Sequence, residues 1–353
     1  MQRAAVLWTM TYLLACPVAH AAPPVLEQSE RQALSGAVAD ALDAQYIDPA
    51  MAQRMRKVLP RNAARGDDVA IADPAALAQR LTDDLRAVSH DGHQWMEYHP
   101  EGARWAGLSQ SHRARCGAAC DGARQRRLRQ GRTDAGQRRL PHVPRLRLPV
   151  PCASTARSAM DFVANTDVLI IDLRDNAGGD PAMVAYLASY LFDERVRLND
   201  IYTRKSNSIA HSWATPGLPG PAFGGRKPLY LLTTPQTFSA AGDFAYALQK
   251  TGRAAAVGDA SGGGAHPSRG FKVGAHFVAV VPYAKSVSAI THANWEGTGV
   301  LPDVAVPASQ ALDTAYRLGI ERLIATSANA DEVARLRAFA ATAPDLLLRA
   351  CCP

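Results

Sequence analysis

Four consecutive apolar residues, Val168-Leu169-Ile170-Ile171, run directly into Asp172-Leu173-Arg174-Asp175-Asn176-Ala177-Gly178-Gly179-Asp180. A strand with no polar alternation has no face left for water, so it belongs inside a sheet covered on both sides, as in parallel sheets wrapped by helices. The glycines mark a tight turn, and Pro181 stands where a helix accepts proline, near its first turn. A helix is expected over 181–192. The same alternation continues with strands at 229–232 and 255–257, a helix at 240–250, a strand at 277–281 and an amphipathic helix at 308–325. Strands alternating with helices point to an α/β domain with a largely parallel sheet.

Ahead of this lies a helical region. Apolar residues recur at helical spacing from Leu26 to Met55, and Leu77, Leu81 and Leu85 share a face in a stretch over 73–88. With 353 residues, the chain has room for about two domains. Its 47% hydrophobic and 20% charged residues exclude a disordered or collagen-like chain. No apolar run approaches the roughly 18 residues of a membrane-spanning helix, which excludes a helical integral membrane protein.

The first 21 residues read as an export signal. Arg3 is followed by a mostly apolar stretch over 4–15, and Ala19-His20-Ala21 has the small-x-small form of a cleavage site. Leu13-Leu14-Ala15-Cys16 also resembles a lipobox, with Cys16 as the anchor, although Pro17 and the competing Ala-His-Ala site favour simple cleavage. Either route places the mature protein in the periplasm or outside the cell. Cleavage leaves Cys116, Cys120, Cys152, Cys351 and Cys352, an odd set that describes no disulfide framework. Cys116 and Cys120 lack a second pair at zinc-finger spacing, so the cysteines give no reason to expect a metal.

The net charge of +7 is carried by one block. Between Arg104 and Arg147, 12 arginines and no lysine stand against Asp121 and Asp134, a local +10 that leaves the rest of the chain at −3. A basic face made by folding draws on several elements, so this distribution says little about partners.

Three segments carry chemistry. The turn at 172–180 offers close backbone approach and free helix-start amides, although paired glycines there are often purely steric. Thr237-Phe238-Ser239-Ala240-Ala241-Gly242 joins a strand to a helix. By default Ser239 is an N-cap; in the same position it could present a nucleophilic hydroxyl beside a backbone oxyanion site. Ser89-His90-Asp91-Gly92-His93 is a polar turn whose histidines, taken alone, read as surface residues.

Taken together, these segments resemble the S41 peptidases, the family of tail-specific or C-terminal processing proteases. The resemblance rests on Thr-Asp-Val-Leu-Ile-Ile-Asp-Leu-Arg-Asp-Asn-Ala-Gly-Gly (166–179) and Thr-Phe-Ser-Ala-Ala (237–241). Val-Gly-Asp-Ala-Ser-Gly-Gly-Gly-Ala-His-Pro (257–267) and Trp-Glu-Gly-Thr-Gly-Val-Leu-Pro-Asp (295–303) follow in the family's order. The segment ending in Ser-His-Asp-Gly-His looks like the N-terminal domain of the branch related to interphotoreceptor retinoid-binding protein. The resemblance covers roughly 25–103 and 155–320, and no segment resembles a PDZ domain. It implies a ClpP/crotonase-like α/β core with an N-terminal helical domain, and serine peptidase activity on extended or unfolded polypeptides. No metal or organic cofactor is implied, and no nucleic-acid partner.

Residue by residue, Ser239 matches the nucleophile. The processing proteases place a lysine base 25 residues further on, where this chain has Gly264. The tricorn-like branch uses an upstream histidine and a glutamate late in the core, and His93 and Glu296 match these. His93 would take the Ser239 proton, and Glu296 would orient it directly or through a bridging group. The amides of Gly178 and Ala240 would hold the oxyanion. Simpler readings are His90 as the base, His266 as a structural residue and Glu296 as a surface carboxylate. Non-catalytic alternatives are a peptide-binding or lipid- or retinoid-binding relative, or a damaged pseudoenzyme.

The resulting organisation is a signal at 1–21, a helical domain at 25–103, an anomalous segment at 104–157, a peptidase core at 158–325 and a C-terminal tail at 326–353. Where the family has a strand of the type Asn-Val-Gly-Tyr-Leu, the anomalous segment has arginine-rich text. Gln137-Arg138-Arg139-Leu140-Pro141-His142 can be encoded by CAA-CGT-CGG-CTA-CCT-CA, which read one base later gives Asn-Val-Gly-Tyr-Leu. The block is therefore read as a frame slip, restored near Ser154. It competes with a disordered insert, a basic arm and a surface-binding tail.

Overall fold

The computed structural model describes residues 26–64, 71–103, 146 and 149–351. The export signal with Cys16, and all of the anomalous segment before 149 except Leu146, lie outside the described residues.

Three helices open the chain: α1 (Gln28–Gln45), α2 (Pro49–Ala64) and α3 (Pro74–Ser89). The apolar pattern over 26–55 is thus two helices rather than one. Tyr46 closes α1 in an extended conformation, and Pro49 keeps the residue before it out of the helical region. Leu34, Val38, Leu42, Met55, Leu81 and Leu85 from the three helices pack together with Phe277, Ala279 and Val281 from far along the chain.

That shared core comes about through β1 (Trp95–Tyr98). It pairs antiparallel with β10 (Phe277–Pro282), which pairs in turn with β9 (Ser268–Lys272). The helical unit therefore does not end at 103 as a separate body. Its last strand completes a sheet with residues of the later α/β region, and its hydrophobic face would be bare without them.

The centre is a four-stranded, all-parallel sheet. It consists of β2 (Leu169–Asp172), β7 (Leu229–Thr233), β8 (Ala255–Gly258) and β12 (Val304–Ala305), in the order β12-β8-β7-β2. All four residues of β2 are buried, as its unbroken apolar run requires. One face is covered by α4 (Pro149–Val163), α5 (Pro181–Ala188) and α6 (Ala240–Lys250), whose side chains join Leu169, Ile171 and Leu231 in the main core. The other face is covered by α7 (Ala308–Thr326), which sets Ala311, Ala315 and Ile320 against Ile170, Leu232 and Val257.

Among the described residues, β2 is the outer strand of this sheet, and only Leu146 bridges past its end, in parallel to Gly179. The anomalous segment is helical from Pro149, where α4 begins. The segment expected as a tail forms α8 (Ala330–Cys351), which meets α7 through Tyr316 and Phe339. Small antiparallel pairs complete the fold: β3 (Val196–Arg197) with β6 (Trp213–Ala214), and β4 (Asn199–Thr203) with β5 (Ser208–Ala210) and β11 (Ala284–Ser288). None of the described helices is long and apolar enough to cross a membrane.

Candidate active site

The turn after β2 and the turn before α6 are stitched together. Thr237 Oγ1 donates to the Leu173 carbonyl, Thr234 Oγ1 to that of Arg174, and the Phe238 amide to that of Asn176. Asp172 and Arg174 form an ion pair at 2.7 Å, and Arg174 also donates to the Ala308 carbonyl. The charged residues of the Asp-Leu-Arg motif are thereby occupied in joining β2 to α7.

Ser239 stands at the head of α6 with φ +55° and ψ −124°, a conformation rarely tolerated by a residue with a side chain. It occupies the N-cap position, yet its hydroxyl makes no capping hydrogen bond. The default reading of this serine therefore fails. A polar side chain sits on strained backbone with its oxygen uncommitted to the helix it heads.

Gly178 faces it closely. A Cβ at Gly178, where φ is +99°, would fall 2.6 Å from Ser239 Cβ and 2.9 Å from the Ala240 amide nitrogen. Of the two amides expected to hold an oxyanion, one is already engaged. The Gly178 amide already donates to Asn176 Oδ1 at 2.8 Å, which ties the turn to itself. The Ala240 amide, at the start of α6, has no acceptor among the described residues.

His93 lies on the turn leaving α3. His90 ends that helix in the left-handed conformation, with φ +53°. Arg86 then clamps the turn by donating to the carbonyls of Gly92 and Gln94. The Asp91 carboxylate accepts the His93 backbone N–H at 2.8 Å. The result points His93 inward, 8% exposed, and leaves His90 at the surface. His93, not His90, is the histidine that packs beside the residue preceding Ser239.

The His93 ring packs against Phe238, the residue before Ser239, with centroids 4.6 Å apart. No hydrogen bond joins His93 to Ser239 among the described contacts, and His93 Nδ1 is buried without a partner. Burial pushes the imidazole down to about 4, against the opposing pull of Asp91, so the ring is neutral near pH 7.

Glu296 converges on the same place. One donor atom each from Asp91, His93 and Glu296 lies within 4.8 Å of the others, and among the described residues these three have the spacing to hold a metal ion. Glu296 also accepts the Ala265 amide proton on Oε2. Burial and the nearby Asp91 charge raise its carboxyl above the usual range.

Two residues join the cluster that the sequence reading did not place there. His266 Nδ1 lies 2.7 Å from Asp91 Oδ2 and 3.6 Å from Glu296 Oε2. Burial alone would lower His266, but the hydrogen bond to Asp91 and the Glu296 charge outweigh it and raise the imidazole above its ordinary value. Tyr46, from the end of α1, donates to Asp91 Oδ2 at 3.1 Å. Burial works to raise Asp91, yet the His266 hydrogen bond and charge hold it below the ordinary carboxylate value. Asp91 and His266 both stood inside quoted motifs; the signal was there, but nothing local told which polar group would meet which.

Residues 152–306 match the family model for peptidase family S41. Over those residues the chain is similar to peptidase family S41. The chain is also similar in structure to a lipoprotein from Streptococcus agalactiae, with a TM-score of 0.55 and 15% identity over 86% of this chain and 99% of that one. The tricorn protease superposes with a TM-score of 0.52 at 11% identity over 81% of this chain. That match covers 35% of the tricorn protease, so this chain corresponds to about a third of it. At such identities the two likenesses speak to the fold. They agree with the expected α/β core and its N-terminal helical region.

Proposed function

We propose that the chain is an exported serine peptidase that cuts extended or unfolded polypeptides through an acyl-enzyme on Ser239. The observation that carries the reading is Ser239 itself, on strained backbone at a helix head with no capping bond. Strain of this kind persists only where the surrounding structure enforces it, and exposing a nucleophile above a sheet is a recurrent reason for it.

In this reading the neutral His93 ring takes the Ser239 proton as the hydroxyl oxygen bonds to the substrate carbonyl carbon, then returns it to the leaving amine. Water repeats the sequence to release the acyl group. Because His93 and Ser239 are not hydrogen-bonded in the free chain, substrate binding has to bring them together, as is common in unliganded enzymes. Glu296 and Asp91 stabilise the imidazolium that forms, and His266 is the bridging group between the two carboxylates. The Ala240 amide binds the oxyanion. Gly178 supplies the second donor only if its amide turns away from Asn176; otherwise its contribution is to leave room beside Ser239.

Export to the periplasm or beyond rests on the N-terminal pattern, with Cys16 as the anchor if the lipobox is used. The test is cleavage of an unfolded polypeptide by the chain lacking residues 1–21, beside Ser239→Ala. Cleavage lost only in the variant supports the peptidase reading. Peptide binding without cleavage by either protein overturns it in favour of a binding relative.

A further inference from the structure

Apart from its proposed catalytic work, the Asp91–His93–Glu296 cluster has unmet demands. His93 Nδ1 is buried and accepts or donates no hydrogen bond among the described residues. A polar atom left so costs about 1–3 kcal/mol unless something the protein does not supply fills the gap, commonly a water or an ion. Two carboxylates share the same space, 91 and 296 in the sequence but within 4.8 Å of the imidazole and of one another. Asp91 offers about four lone-pair directions. Three are taken, by the His93 amide, Tyr46 and His266.

We propose that Asp91, His93 and Glu296 form a binding site for one zinc ion, and that zinc bound there switches the peptidase off. One imidazole nitrogen with two carboxylate oxygens is a donor set for a borderline divalent cation, and three protein ligands leave a fourth position for water. Magnesium and calcium favour shells of oxygen alone, usually six or more, which this pocket does not provide. Zinc holds its ligands at about 2.0–2.2 Å, so tetrahedral donors stand about 3.4 Å apart. Donors now spread over as much as 4.8 Å would have to close by up to about 1.4 Å. The Glu296 side chain has to supply most of that movement: it is only partly buried, its ion pair with His266 is long at 3.6 Å, and its Oε2 would keep or give up the Ala265 amide as it turns.

The inhibitory part rests on the peptidase reading. Coordination uses the lone pair of one ring nitrogen and leaves the proton on the other, so His93 can no longer accept one from Ser239.

The test uses the full chain, dialysed against chelator and titrated calorimetrically with zinc chloride. One zinc per chain with a dissociation constant of about micromolar or tighter is expected. His93→Ala and Glu296→Gln should each weaken it at least tenfold, while Ser239→Ala leaves it unchanged. Zinc-edge absorption should show one nitrogen and oxygen donors at about 2.0–2.2 Å. Circular dichroism checks that the variants fold, and Glu296→Gln decides if His93→Ala does not. No zinc binding, or binding unmoved by both substitutions, overturns the site and leaves the gap to water. Since heat is read rather than cleavage, a chain that binds zinc but cuts nothing even when stripped of it would uphold the site and sink the peptidase reading instead, whereas cleavage by the stripped chain that zinc leaves unchanged overturns the inhibition.

Discussion

The His93 ring, with Phe238 stacked beside it, fills the space that a side chain on Gly264 would need: a Cβ at Gly264 would collide first with the Phe238 ring and would lie 2.8 Å from His93 Cε1. Gly264 also has φ +77°, where an L-residue is strained. Glycine keeps this position free of a side chain, and Phe238 and a histidine from the N-terminal unit occupy the room. Gly264→Ala should therefore cost about 1–3 kcal/mol in stability and most of the cleavage activity. Urea unfolding and a peptide assay check this; an unaltered protein would mean the two residues do not compete for space.

Replacing His93 by Ala should lower acyl transfer at least a hundredfold. The pH profile adds a sharper expectation. With burial holding His93 near 4, its neutral form persists at mild acidity, and kcat/KM should fall only as the pH drops towards about 4. An acid limb near pH 7 would show a base with an ordinary environment and would move the role away from His93.

His266 separates two carboxylates that otherwise repel. Its folded value is raised, so protonation stabilises the fold, fully so below its unfolded pKa, and that contribution is lost as the pH climbs through the raised one. His266→Ala should lower stability by about 2–4 kcal/mol at mildly acid pH, and less at alkaline pH. It should reduce kcat more than KM. Equal losses at every pH would make His266 a packing residue only.

Asp243, wholly buried on α6, receives the Asn199 side-chain N–H at 2.6 Å. Burial raises its carboxyl to about 6 despite that bond. A raised acid favours the fold at low pH: the contribution of Asp243 should be full below about 4, decline between about 4 and 6 by on the order of 3 kcal/mol, and stay level above. Asp243→Asn should remove this slope. Chemical unfolding at pH 4 and pH 7 compares the two.

Beside β2 the described residues place no further paired strand, only the Leu146 bridge to Gly179. If the arginine-rich block is a frame slip, its coding DNA read one base later will spell an apolar strand near residues 137–142. The protein made from the restored frame should then melt several degrees higher, since about 1 kcal/mol shifts the midpoint of a chain this size by roughly 2–4 °C. A gene with no such alternative reading would make the block a genuine insert.

The parallel sheet and its helices were legible because they depend on local patterns. An unbroken apolar run at 168–171 can only be buried, a proline at 181 can only start a helix, and leucines at 77, 81 and 85 can only share a face. Ser239 was legible as a residue, but its default reading as a cap was wrong, since whether a hydroxyl caps its helix depends on backbone angles that neighbours impose. The meeting of Asp91, His266, Tyr46 and Glu296 was not legible at all. Asp91 and His266 lie 175 positions apart, and no periodicity encodes a contact at that distance. It exists because β1 pairs with β10 and so carries the turn after α3 onto the peptidase core. Local sequence decided which elements form, and the pairing of distant strands decided which charges share a site.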